Sequence, residues 1–312
     1  MMMPVRRRRR GFTIAELLIS MTVALVVITA GANFAVRSLQ TRRGWTVRES
    51  VDRNARFVGM SLARDAQEAG VAIESNPVFA TLGSFQDTLT VLSVPFEPEE
   101  APVYSIYNDG GADPNYPAGG NCGALCIELM KSSGTYRLAA GDLVRLQVGS
   151  TRRLLFLTGV ANRSSTRFRI TFLDVDMFLG RESGLDELLL TRSGTSVQKL
   201  KAVAYWRDPD TKSIMRAEQF TLSGQPVAQV MASNADAWET SLLFVNDVEA
   251  DQYDGMDADT TNDGNKVIGV KVRARLKTDR NDPAVNNGQD VYRWYEWRIA
   301  PRNLLYEKNR MN

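Results

Sequence analysis

A stretch of twenty residues near the N-terminus is apolar enough to cross a membrane. It runs from Leu17 to Val36 and contains no charged side chain. Twenty residues of α-helix span about 30 Å, which is the thickness of the hydrocarbon core of a bilayer. Five arginines, Arg6–Arg10, precede the stretch. Because basic flanking residues stay on the cytoplasmic side, we expect the rest of the chain to be exported.

Beyond Arg37 the pattern becomes that of an amphipathic helix. Apolar or small residues recur every three or four positions, which places them on one face, and most arginines lie away from that face. Gly70 is a stop signal. The pattern therefore predicts one long helix from Phe12 to about Ala69, whose second half packs on the residues that follow. The residues of the stripe are Val47, Val51, Ala55, Val58, Leu62, Ala66 and Ala69.

After residue 70 the chain consists of short apolar runs separated by turn residues. Enrichment in Val, Ile, Phe and Tyr with partial alternation predicts strands, and no strong helix pattern follows. Segment 208–212 predicts a hairpin turn and segment 108–123 a loop. The predicted fold class is α+β, with a long N-terminal membrane-spanning helix packed on a mostly antiparallel β domain. The predicted strands are 88–94, 142–148, 153–160, 166–173, 199–206, 267–276 and 291–299.

Composition excludes several kinds of chemistry. The chain has no histidine among its 312 residues, which excludes histidine-based triads, bases and metal ligands. Its two cysteines cannot hold zinc without other ligands. Five of the 38 basic residues lie in Arg6–Arg10, so the remainder has 33 basic against 36 acidic side chains and is not a general nucleic-acid binder. No catalytic carboxylate pair, nucleophile elbow or phosphate-binding loop is recognisable, and we expect no enzymatic activity and no resident cofactor.

Glu16 is unexpected at the edge of the apolar stretch. A carboxylate there costs a few kcal/mol, and an ordinary signal peptide has no use for it. The ordinary signal peptide nevertheless has support, because Ala30-Gly31-Ala32 is a small-x-small cleavage pattern. A secreted or periplasmic β-rich binding protein therefore stays one interpretation of the sequence.

The segment GFTIAELLIS (11–20) resembles the class III leader of type IV pilins and type II secretion pseudopilins. The resemblance implies that a prepilin peptidase cuts between Gly11 and Phe12, that Phe12 is N-methylated, and that Glu16 becomes the fifth mature residue. In that family the glutamate is thought to pair with the N-terminal amine of a neighbouring subunit during assembly. Ala15 departs from the pattern, since many members have a larger aliphatic residue there. The pairing offers a reason for Glu16, because a buried unpaired charge is expensive.

Further segments are similar to those of PilW-type minor pilins, which are related to pseudopilin J. Members often end with a strand that finishes in Arg-Asn, here Arg302 and Asn303. The resemblance is looser than that of the leader. The segments are LARDAQEAG (62–70), WETSLLFVNDVEADQYDG (238–255), VIGVKVRARLKT (267–278) and YRWYEWRIAPRN (292–303).

Cys122 and Cys126 are separated by three residues in a chain that we expect to be exported. Thiols oxidise outside the cytoplasm, so we predict a disulfide between them, worth about 2 kcal/mol on a chain-entropy estimate. The alternatives are two buried free cysteines or a redox-active pair. The second is disfavoured because the usual redox motif has two intervening residues.

An aspartate-rich segment between predicted strands 240–246 and 267–276 suggests a possible Ca²⁺ site. Asp259-x-Thr261-x-Asp263-Gly264 follows the opening of an EF-hand loop, but Val270 stands where the bidentate glutamate belongs. A solvated acidic hairpin loop ranks ahead of a calcium loop of another kind. The candidate ligands are Asp254, Asp257, Asp259 and Asp263.

The resemblance implies a minor pilin that takes part in initiating a type IV pilus, possibly at its tip. A type II secretion minor pseudopilin is the alternative that uses the same features. Implied partners are other minor and major pilins, the prepilin peptidase, the inner-membrane assembly platform and the membrane itself. The implied location is the inner membrane, as a single-pass protein with a cytoplasmic N-terminus, and then the pilus or cell surface. The predicted divisions are a leader (1–11), a helix (12–36 in the membrane or filament core, 37–70 amphipathic) and a β-rich domain (71–312).

Overall fold

The computed structural model describes residues 14–71, 73, 75–77, 79–95, 103–107, 125–131, 135–148, 151–173, 195–278 and 289–311. A long helix, α1, spans Ile14–Gln67, and a short helix, α2, spans Arg302–Met311. The strands are β1 (Leu82–Phe85), β2 (Thr88–Ser93), β3 (Val103–Ser105), β4 (Cys126–Met130), β5 (Leu143–Val148), β6 (Thr151–Asn162), β7 (Arg167–Leu173), β8 (Thr195–Asp208), β9 (Ser213–Phe220), β10 (Pro226–Ala232), β11 (Ala235–Phe244), β12 (Glu249–Ala250), β13 (Val267–Lys277) and β14 (Tyr292–Ile299).

The strands form two sheets. Ten strands make the larger sheet, in the order β1-β2-β8-β5-β6-β7-β4, with β3 and β9 also paired to β8 and β10 paired to β9. Four strands make the smaller sheet, in the order β12-β11-β13-β14. The pairings among the described strands are antiparallel. The α+β fold class predicted from the sequence is therefore confirmed.

The chain separates into two compact units. One comprises Met1–Ser50 and Thr278–Val291, and the other comprises Val51–Lys277 and Tyr292–Asn312. The last part of α1, from Val51 to Gln67, thus belongs to the same unit as the sheets. The domain bounds drawn from the sequence, 12–70 and 71–312, stay a prediction.

The alternation of apolar and polar residues correctly predicted the positions of the longer strands. With 240–246 included, each of the eight predicted strands overlaps an observed one, namely β2, β5, β6, β7, β8, β11, β13 and β14. The turn at 208–212 joins β8 to β9, and Lys212 has the positive φ (50°) of a tight turn. Strands β1, β3, β4, β10 and β12 were not predicted, because most are short and their positions depend on pairing with distant strands.

The second half of α1 lies against both sheets through the predicted stripe. Val51, Ala55, Val58 and Leu62 are at most 5% exposed and belong to one core cluster with residues of β2, β8, β11 and β13. The cluster includes the buried Trp238. The side chain of Val47 lies outside the described residues. Burial of this face is what fixes the helix on the sheets, because helix propensity alone contributes little.

Two glycines shape the contacts of α1. Gly70 has φ +75°, a conformation that favours glycine, and it follows the last turn of the helix as predicted. Gly59 lies against β14, where an added Cβ would stand 2.7 Å from Cδ1 of Trp297. The absence of a side chain at Gly59 therefore lets the helix approach the indole ring closely.

Helix α2 corrects two expectations. No helix was predicted after residue 70, and Arg302-Asn303 was expected to finish a strand, but β14 ends at Ile299 and these residues begin α2. Among the side chains of α2 that the structure describes (302–306), Leu304 is buried and packs on the core.

Candidate assembly site

The first half of α1 presents apolar side chains to its surroundings on every side. Ile14 is 83% exposed, Leu25 69% and Phe34 75%. By length and composition this segment can cross a membrane. A helix that is hydrophobic all round requires apolar surroundings, either lipid or other helices. Together with the leader motif described below, the segment supports a membrane-anchored, single-pass protein.

Glu16 lies in the first turn of α1 and is exposed. The N-terminal end of a helix has a partial positive charge, so an acidic side chain is favourable there. Gly11 and Phe12 lie outside the described residues. The cleavage at Gly11, the methylation of Phe12 and the assembly role of Glu16 therefore stay predictions.

A buried charged cluster joins the end of α1 to the larger sheet, and the sequence did not predict it. Asp65 is 1% exposed, and its Oδ2 accepts hydrogen bonds from Arg216 Nε (2.7 Å) and from the hydroxyl of Tyr205 (2.5 Å). Arg216 also donates to Glu218 (2.8 Å), and Lys201 Nζ lies 3.4 Å from the same carboxylate. Each buried charge therefore has a partner of opposite sign.

The geometry of the cluster determines its protonation state. Burial raises the pKa of Asp65, but the hydrogen bonds from Arg216 and Tyr205 outweigh it and hold the pKa below its usual value. Burial, together with the hydrogen bond to Asp65, raises the pKa of Tyr205 well above its usual value. At neutral pH the cluster is an ionised aspartate held by a guanidinium and a neutral phenol. These hydrogen bonds hold the end of α1 on the larger sheet.

Two further polar contacts attach α1. Asp52 accepts from Arg293 Nη1 (2.8 Å) and from the hydroxyl of Tyr295, both on β14. Near the C-terminal end of α1, Nδ2 of Asn303 in α2 donates to the carbonyl of Gln67, the last residue of the helix, at 3.5 Å and to that of Ala69 at 3.3 Å. Carbonyl groups at a helix C-terminus lack partners inside the helix, so this amide acts as a cap. Sequence similarity had indicated Asn303, but for a strand and not for a cap.

A cavity of about 360 Å³ lies beside the cluster, where β5 and β9 diverge along β8. Its walls include the apolar Leu200 and Phe220 and the charged Lys199 and Glu218. Lys199 Nζ lies 3.0 Å from Asp142, and Glu218 pairs with Arg216. Because both charges are already compensated, the cavity has no net charge that would select an ionic ligand.

Cys126 begins β4 and is disulfide-bonded. The sequence contains one other cysteine, Cys122, which lies outside the described residues. The pairing of Cys122 with Cys126 therefore stays a prediction.

The predicted calcium ligands do not come together. Within the part of the chain that the structure describes, no group of three or more acidic or cysteine side chains could hold a metal ion. Instead Oδ1 of Asp254, Asp257 and Asp259 each accepts from a backbone amide two residues further on, at 2.9, 3.0 and 2.9 Å. Asp263 is buried (7% exposed). These contacts stabilise turns within the loop. The calcium site and the solvated loop both stay predictions.

Comparison with known proteins identifies the N-terminal segment. Residues 6–32 match the family model of the prokaryotic N-terminal methylation motif. This motif supports a type IV pilin-like protein. The matched segment contains the five arginines Arg6–Arg10, Gly11, Glu16 and most of the apolar half of α1. No curated protein and no solved structure matches the chain.

Replacing Asp65 tests whether the buried cluster attaches α1 to the sheet. Asp65→Asn removes the buried counter-charge of Arg216 and leaves it only the more exposed Glu218 as a partner, so we expect the unfolding free energy to fall by at most about 3–5 kcal/mol at pH 7. The pKa of Asp65 is lower in the folded than in the unfolded state. Its contribution is therefore complete above the usual aspartate pKa of about 3.9 and is lost as the pH falls through the folded-state value.

Chemical denaturation of the full-length protein in detergent, at pH 7 and at pH 3, measures both effects. The difference between wild type and Asp65→Asn should narrow at the lower pH. Glu239→Gln is the control, because its pair with Arg273 (2.9 Å) is exposed and contributes at most about 1 kcal/mol. An Asp65→Asn protein as stable as Glu239→Gln would contradict this role.

Calcium removal tests the aspartate-rich loop. We expect the melting temperature of the full-length protein to be the same in excess calcium and in chelator, because the carboxylates are engaged by backbone amides. Asp259→Ala should lower the melting temperature slightly and to the same extent under both conditions, since it removes the N-cap of the short helix Thr260–Asn262. A bound calcium at a hundred times its dissociation constant would instead add about 2.7 kcal/mol, and Asp263→Asn would abolish that gain.

Proposed function

We propose that this chain is a minor pilin that takes part in initiating and assembling a type IV pilus. One observation supports the proposal above the others: the methylation motif (6–32) runs directly into a helix whose apolar half is exposed on every side. A signal peptide that is removed has no need to continue as one helix into the exported domain. Here α1 continues without interruption from Ile14 to Gln67.

The proposed role of Glu16 is to pair with the N-terminal amine of a neighbouring subunit during assembly. Cleavage between Gly11 and Phe12 creates an ammonium group beside the apolar segment, and Glu16 of a neighbouring subunit supplies the opposite charge. Both charges are costly in apolar surroundings when separate, so pairing favours the assembled state over the isolated subunit. The apolar half of α1 then packs with other helices, and no catalytic step is required of this chain.

The sheet-bearing unit has the role of a lateral contact surface in this proposal. A β-rich region of about 240 residues suits a subunit present in few copies better than one that repeats densely along a fibre. The buried cluster of Asp65, Tyr205 and Arg216 keeps the second half of α1 on the larger sheet. Proposed partners are the other minor pilins, the major pilin, the prepilin peptidase and the assembly platform of the inner membrane.

The mature N-terminus distinguishes this proposal from a secreted protein. We expect the protein from cells to begin at N-methylated Phe12, because Gly11 lies at the matched junction. Mass spectrometry of the N-terminal peptide measures the start. Gly11→Val should leave the precursor uncut by removing the small residue at the cleavage point. A start at Asn33, after Ala30-Gly31-Ala32, would instead show an ordinary signal peptide and refute the pilin proposal.

Glu16→Gln tests the charge pairing. The amide keeps the shape and hydrogen-bonding capacity of the carboxylate but cannot neutralise an ammonium group, so cleavage and folding should be normal while co-assembly falls. Cross-linking to partner pilins and counts of pili per cell measure assembly. Glu49→Gln is the matched control, since Glu49 is exposed on the same helix.

Normal pili with the Glu16→Gln subunit incorporated would show that charge pairing has no role in assembly of this chain. Loss of cleavage would assign Glu16 to recognition by the peptidase. Loss of protein secretion with unaltered pili would assign the chain to a type II secretion machine.

A further inference from the structure

The segment of α1 that follows the apolar half is a ring of exposed arginines with one exposed tryptophan. Arg37, Arg42, Arg43 and Arg48 are exposed, and Trp45 is 73% exposed. We call residues 37–48 the basic collar. Successive residues of a helix are turned by about 100°, so these arginines point to several sides of the helix. The collar therefore differs from the amphipathic segment after it, where one face is buried.

The collar has an excess of positive charge. No ion pair joins its four guanidinium groups to a carboxylate among the residues that the structure describes. One acidic residue, Glu49, follows immediately, so segment 37–49 has a formal charge of +3. Elsewhere in the chain the charged side chains of the sheets are largely paired. An exposed cationic ring that has no ion pair among the described residues, next to an apolar segment, points to an anionic partner outside the chain.

The position of the collar relative to the apolar stretch suggests where that partner lies. Arg37 follows Val36 directly. Arg42 and Arg43 lie about 9–11 Å beyond Val36, because the helix rises 1.5 Å per residue. The polar layer on each side of a hydrocarbon core is about 5–8 Å thick. Helical side chains lean towards the N-terminus, here towards the apolar half, and arginine is long enough to reach back by several more ångströms.

We propose that the basic collar binds anionic phospholipid headgroups in the leaflet on the C-terminal side of the apolar segment. Guanidinium groups form bidentate hydrogen bonds with phosphate oxygens, and tryptophan is enriched at the membrane interface, where its ring sits at headgroup level. The inference rests on the membrane placement in the proposed function and adds the class of lipid that the subunit selects.

The proposed cleavage makes this contact more important. The leader removes Arg6–Arg10, and no lysine or arginine lies between Phe12 and Val36. After cleavage the basic residues next to the apolar segment are thus all in or beyond the collar. The mature subunit is then held at its exported side by anionic lipid, a contact that must be broken when the subunit leaves the bilayer.

Quenching of tryptophan by brominated lipids measures the proposed contact. The full-length protein is reconstituted in vesicles that contain brominated phosphatidylglycerol or, at the same mole fraction, brominated phosphatidylcholine. Flotation of the vesicles shows whether the protein is inserted. The signal of Trp45 is obtained by subtracting the fluorescence of Trp45→Phe from that of wild type. This subtraction removes the contribution of the other four tryptophans.

Phosphatidylglycerol should quench Trp45 about fivefold more effectively than phosphatidylcholine at low salt, the factor expected for one basic residue near an anionic surface. In Arg42→Gln/Arg43→Gln the preference for phosphatidylglycerol should be clearly weaker than in wild type, because two of the four guanidinium groups of the collar are lost. Arg53→Gln/Arg56→Gln is the matched control, because it removes two exposed arginines eleven and thirteen residues further along α1. It should keep the preference for phosphatidylglycerol.

The outcomes separate this inference from the proposed function. Inserted protein that is quenched equally by both lipids would overturn the lipid inference and leave the pilin proposal unaffected. If Arg53→Gln/Arg56→Gln weakened the preference for phosphatidylglycerol as much as Arg42→Gln/Arg43→Gln does, the preference would depend on net charge, and the collar would have no special role. Protein that does not float with vesicles of either composition would contradict the membrane placement itself.

Discussion

The continuity of α1 is the constraint on which the rest of this structure depends. One helix of 54 residues must satisfy two kinds of surroundings without a break. Its first half has apolar side chains on every side and is stable only in lipid or among other helices. Its second half has one apolar face, which the sheets cover, and a charged remainder that water solvates. The transition takes place within the basic collar, where arginines replace apolar residues on all sides.

Attachment of the second half depends on polar contacts as well as on the core. Burial of Val58 and Leu62 supplies the hydrophobic part, and the close approach of Gly59 to Trp297 brings β14 against the helix. Apolar contacts alone allow a helix to slide or turn on a sheet. Asp65 bonded to Arg216 and Tyr205 specifies one position, because a shift would leave buried charges without partners.

The proposals for Glu16 and for the collar rest on the same physics at the two ends of the apolar segment. A charge at the edge of a low-dielectric region is costly unless a partner of opposite sign is present. For Glu16 the proposed partner is the amine of another subunit, and for the collar it is the phosphate of a lipid. The first contact favours assembly and the second favours the membrane. Their balance is a means by which the chain could remain in the bilayer until its neighbours are available.

The sequence by itself determined the features that depend on local pattern. The uncharged run of Leu17–Val36, the stripe of α1, the stop at Gly70 and the longer strands all follow from residue type and spacing. The tertiary structure alone decided the features that depend on residues far apart in the chain. Asp65 forms hydrogen bonds with Tyr205 and Arg216, which lie 140 and 151 residues further along the sequence. Among the described side chains of α2, Leu304 packs on the core and Asn303 donates to backbone carbonyls at the end of α1. Isolated polar residues have no periodicity, so only folding reveals which of them are neighbours.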